Sequence, residues 1–128
     1  MIGDKSTYWI EVAEYDMETA RAMLESKRFL YVGFMCHQAI EKGFKAVIAK
    51  SGIMPPKIHN LDRLSEQGGL SPMLDARQQA LLDTLAPLNI ESRYPEYKER
   101  IAENLSEQTC NDIIAETKDF LSWIKSKL

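Results

Sequence analysis

The stretch FLYVGFMCHQAIEKGFKAVIAK, residues 29–50, decides the fold. It holds no proline, and apolar side chains stand at Phe29, Val32, Phe34, Met35, Cys36, Ile40, Phe44, Val47 and Ile48, on nearly every side of a helix. A helix that is apolar almost all round lies in the middle of its protein or faces a partner. Its polar residues, His37, Gln38, Glu41, Lys42 and Lys45, keep to one narrow band. Positions 37, 41 and 45 are spaced i, i+4, i+8, so His37, Glu41 and Lys45 stack along one line.

Upstream, Trp9, Ala13, Met17, Ala20 and Leu24 recur at helical spacing and predict a first helix, with Ser6 as its N-cap and Ser26-Lys27-Arg28 ending or bending it. Downstream, Gly52 stops the central helix and Pro55-Pro56 bars its continuation. A short third helix is expected from Asn60 to Gly68-Gly69. A fourth opens at Ser71-Pro72, uses Met73, Leu74, Leu81, Leu82 and Leu85 as its apolar face, and closes at Pro87. The segment from Leu88 to Asn104 reads as a loop with a helical turn around Glu99–Glu103, because the residue before Pro95 avoids the helical region. Ser106 caps a closing helix whose apolar side carries Cys110, Ile113, Ile114, Thr117, Phe120, Leu121, Ile124 and Leu128. No alternating strand occurs. The expectation is an all-α antiparallel bundle of about five helices, one domain over residues 1–128.

Composition narrows the function classes. The 128 residues are 45% hydrophobic and 27% charged, which excludes disordered and collagen-like chains. Lys+Arg 16 against Asp+Glu 19 leaves a net charge of −3, so no global basic field draws nucleic acid. The longest run without a charged residue, Phe29 to Ile40, is too short to span a membrane, and neither a signal peptide nor an anchor is expected. Cys36 and Cys110 stand alone and read as two reduced, buried thiols of a cytoplasmic protein. Neither cysteine nor histidine has metal-ligand spacing, and no phosphate loop, nucleophile elbow or dinucleotide fingerprint occurs. No cofactor and no metal are expected.

The run His37-Gln38-Ala39-Ile40-Glu41-Lys42-Gly43-Phe44-Lys45-Ala46 resembles the signature of HEPN domains, helical modules of prokaryotes and higher eukaryotes. Pro55-Pro56 followed by His59-Asn60-Leu61, then Ser92-Arg93-Tyr94-Pro95, then the amphipathic helix ending near Trp123 extend the resemblance from about Trp9 to Ile124. It implies a compact helical bundle that commonly forms homodimers. Many such proteins are paired with a minimal nucleotidyltransferase, often as toxin and antitoxin. HEPN ribonucleases carry an Arg, four to six residues, then a His. After Arg93 the matching slots hold Lys98, Glu99 and Arg100, so only the arginine half is present. The Tyr that some paired systems adenylylate, two positions beyond that His, is replaced here by Arg100.

Each candidate residue has a functional and a structural reading. His37, Glu41 and Lys45 form either a polar relay in a dimer cleft or a satisfied network that fixes the orientation of the central helix. Arg93 either clamps a phosphate or bridges internally to Glu41 or Asp16. Tyr94 and Tyr97 stack a base or cover the core edge. His59 serves as an acid or base, or holds the turn after Pro56. Lys42, Lys45, Lys50 and Lys57 make a basic strip or are simply solvated. Three functions are compatible with these residues: a homodimeric interaction module beside a nucleotidyltransferase, a metal-independent ribonuclease using Arg93 with His37 or His59, and a nucleotide-binding subunit with Arg93 and Lys45 on phosphates.

Overall fold

The computed structural model describes residues 3–90 and 94–128, with side chains from residue 5 onward. Six α-helices succeed one another: α1 Gly3–Glu25, α2 Phe29–Lys50, α3 Leu61–Gln67, α4 Ala76–Leu85, α5 Pro95–Glu103 and α6 Glu107–Lys125. Two 3₁₀ turns, Ser71–Met73 and Ala86–Leu88, flank α4, and no strand occurs among the described residues. The all-α bundle is as expected, with one helix more.

The chain reverses between α1 and α2 in three residues. Lys27 takes the left-handed conformation at φ 60°. The Arg28 amide then donates to Met23 O at 2.7 Å, and the Lys27 amide to Leu24 O at 3.0 Å. This pair of bonds satisfies the last carbonyls of α1 in the manner that glycine usually allows. The two helices therefore lie side by side and antiparallel.

α2 is the central element, with 14 of its 22 residues buried, and it packs against each of the other five helices. Two glycines bring neighbours close to its backbone. A Cβ on Gly33 would stand 2.9 Å from Leu88, and one on Gly43 would stand 3.0 Å from Leu121 of α6. Phe44 meets Phe120 edge to face at 5.8 Å, tying α2 to α6 in the middle of the core. Cys36 and Cys110 are both buried and unpaired as a disulfide. No described helix is long and apolar enough to cross a membrane.

Three local expectations are corrected. Ser6 does not cap α1; the helix begins at Gly3 and Ser6 is buried inside it. Ser71-Pro72 opens a 3₁₀ turn rather than α4. The helix starts after Asp75, whose carboxylate accepts from the Gln78 amide at 2.7 Å while the Gln78 side chain accepts from the Asp75 amide at 3.0 Å. This reciprocal cap satisfies two otherwise open donors and outcompetes a lone serine. Finally, the 88–104 segment is helical from Pro95 to Glu103. Tyr94 is extended at ψ 154°, as the residue before proline should be, and Pro95 occupies the first turn, where its missing amide costs nothing. The other two caps are as read: Asn60 accepts from Arg63 N, and Ser106 from Thr109 N.

Candidate functional site

The line of His37, Glu41 and Lys45 exists and lies inside the protein. All three are buried, with Glu41 only 1% exposed. The Lys45 ammonium donates to Glu41 Oε2 at 3.1 Å. His59, 18 residues further along the chain, reaches back from the loop after α2. Its Nδ1 lies 3.0 Å from Glu41 Oε1 and 3.1 Å from Oε2. One buried carboxylate thus holds a lysine from its own helix and a histidine from a loop. Such a pairing is what allows a charge to remain in the interior at all.

His37 stands apart from this arrangement. Its Nδ1 is 3.9 Å from Glu41 Oε1, beyond hydrogen-bond range, and has no hydrogen-bond partner among the described residues. Burial pushes the imidazole down to about 4, against the opposing pull of the Glu41 charge. His37 is therefore neutral at pH 7, and its approach to Glu41 is not an ion pair. His37 and His59 both border a cleft of about 300 Å³, closed by Asn60, Asp62, Leu82 and Asn89.

The remaining candidates are dispersed. Lys42 lies 4.0 Å from Asp16 of α1, a carboxyl raised by its burial and lowered in part by that lysine. Lys50 and Lys57 are exposed, so Lys42, Lys45, Lys50 and Lys57 do not act as one strip: two of them face carboxylates. Tyr94 is 80% exposed at the start of α5. Tyr97, one turn on, donates its hydroxyl to Pro87 O at 3.4 Å and borders a different cleft, with Arg100 and Ile101. Arg93 lies outside the described residues. Its suggested internal partners, Glu41 and Asp16, are engaged by Lys45 and His59 and by Lys42.

Sequence spacing misses one partner. The His59–Glu41 contact bridges 18 residues, and no helical period relates them. The only local signal is the rigid Pro55-Pro56 step ahead of His59, which marks a loop with a fixed return path. The His59 contact joins that loop to a buried carboxylate on α2.

The arrangement invites comparison with known folds. A family model described as the HEPN domain matches residues 6–127. The chain belongs to the HEPN family. The crystal structure of an archaeal HEPN homologue superposes with a TM-score of 0.67 at 22% identity, covering 96% of this chain and 97% of that one. At that identity the likeness supports the HEPN fold alone. No protein of curated function matches.

Proposed function

We propose that this HEPN domain is a homodimeric binding and interaction module, the partner of a minimal nucleotidyltransferase, rather than a ribonuclease. The dimer and the partner rest on the family likeness, and one observation sets the module apart from the ribonuclease. His59 bonds to Glu41 and His37 lies near it on α2 without a hydrogen bond, while the positions that a HEPN ribonuclease would use after Arg93 are Lys98, Glu99 and Arg100 of α5. None of those three side chains is the imidazole that the ribonuclease arrangement places after its arginine, and His37 is buried, with its imidazole held down at about 4, which makes it a weak base. His59 keeps one ring nitrogen on Glu41 and serves as a clasp for its loop.

RNA cleavage tests the reading directly. Purified protein and an Arg93→Ala variant are incubated with total RNA and tRNA in EDTA. The module reading expects no cleavage above the variant, a dimeric mass by light scattering at micromolar concentration, and retention of a nucleotidyltransferase in pull-downs. Cleavage that disappears with Arg93→Ala would restore the metal-independent ribonuclease, and a monomeric mass would remove the dimer.

A further inference from the structure

Lys45 has a second neighbour besides Glu41. Its ammonium sits 5.5 Å from the centre of the Trp9 ring. There it helps close a groove of about 460 Å³ between the start of α1 and the loop after α2. The floor is apolar, made by Tyr8, Trp9, Met54 and Pro55-Pro56. Tyr8 and Trp9 pack edge to face at 5.6 Å, while Tyr8 is 60% and Met54 76% exposed. Large apolar side chains held this open side by side, one on α1 and one on the loop, mark a contact surface more often than a solvated one.

The charge around the floor has one sign. Every charged residue lining the groove is a lysine, Lys5, Lys45 and Lys57, in a chain whose net charge is −3. Lys45 is neutralised by Glu41. Lys5 and Lys57 are exposed, and neither has an ion-pair partner among the described residues. Two unpaired ammonium groups beside an aromatic floor recognise an anion with an apolar body. Two are too few to track a nucleic-acid backbone, whose binding scales with the number of phosphates neutralised. The volume suits one large side chain with its flanking backbone.

We propose that this groove docks a short acidic segment of a partner protein, with one aromatic or aliphatic anchor on Trp9 and Met54 and carboxylates beside Lys5 and Lys57. The assignment rests on the interaction-module reading for the occupant being a protein, and it gives that module a surface. Glu41 positions both walls: Lys45 braces Trp9 on one side, and His59 ties down the loop that carries Met54 on the other.

The test is a titration of the ¹⁵N-labelled full chain, monitored by NMR, with the capped pentapeptide Glu-Asp-Phe-Glu-Asp. Counterparts carry Leu or Ala at the centre, or Lys at all four acidic positions. The Phe and Leu peptides should shift residues 5, 9, 54 and 57, the Trp9 indole included, and saturate with Kd of roughly 10⁻⁴ M. The Ala-centred and Lys-flanked peptides should bind at least tenfold more weakly. A Lys5→Glu, Lys57→Glu double variant, altered only at exposed positions, should lose binding with an unchanged circular dichroism spectrum. Equal binding of the Lys-flanked peptide, shifts centred elsewhere, or no saturation at millimolar peptide overturns the assignment. So do dilution-dependent shifts of the same residues without peptide, which would make a second copy the occupant. A dimeric, RNA-inactive protein that ignores every peptide loses the groove assignment alone, because mass and cleavage report on the module separately.

Discussion

His37 makes the stability of this protein depend on pH in a calculable way. The imidazole titrates near 4 in the fold, against an ordinary value of 6.5, because burial disfavours its charged form. Between those values the unfolded chain binds a proton that the folded chain refuses, so stability falls as pH falls. At pH 7 both states are nearly unprotonated and His37 contributes almost nothing. At pH 5 the unfolded imidazole is almost fully protonated and the folded one is not, a difference of about 2 kcal/mol at ~1.36 kcal/mol per pH unit of displacement. The groups facing His37 are Glu41, Lys42 and His59, and all remain in a His37→Gln variant. Urea unfolding of both proteins, monitored at 222 nm between pH 7 and pH 5, isolates the histidine by subtraction. The wild type should lose about 2 kcal/mol more than the variant across that window. Parallel stability curves would refute the argument, since they would mean that His37 is protonated as readily inside as out.

Three further outcomes are expected. Glu41→Ala leaves the buried Lys45 ammonium without its carboxylate and should cost about 3–5 kcal/mol in urea unfolding, and adding Lys45→Met should recover much of the loss. Burial pushes Cys36 up to about 12 and Cys110 up to about 11, so neither thiol should react with Ellman's reagent at pH 8 in the folded protein, and both should react in guanidinium. Lys27→Gly relieves a non-glycine residue at φ 60° and should stabilise the fold by about 1 kcal/mol, read as a raised urea midpoint.

The elements legible in the sequence are those whose signals are local and whose faces are one-sided. α2 is readable because burial on every side leaves so little polarity that the three-residue line stands out, and i, i+4 spacing puts Glu41 on Lys45. α5 is largely hidden because Pro95 carries two opposite signals. It breaks a helix that reaches it from upstream, yet its ring suits the first turn of a helix that begins there, and here the second role prevails. The start of α4 is ambiguous because Ser71-Pro72 and Asp75–Gln78 are both plausible caps, and only the second bonds in both directions. His59 on Glu41 and Lys45 over Trp9 join separate segments. Packing of α2 against α1 and against the loop creates both contacts, and no pattern within one segment encodes them.

The placement of α2 has a consequence for the unfolded chain. Gly33 and Gly43, which admit Leu88 and Leu121, each weaken an isolated helix by roughly 1 kcal/mol, so α2 depends on its neighbours to stay helical. Released from them, Phe29 to Ile40 is a twelve-residue run without charge, rich in aromatic and branched side chains and open to strand pairing with its own copies. Lys27-Arg28 and Glu41-Lys42 bracket that run as charged gatekeepers. The segment that centres the native core is therefore also an aggregation hazard once exposed, and the packing of α1 and α6 over α2 is what keeps it from pairing.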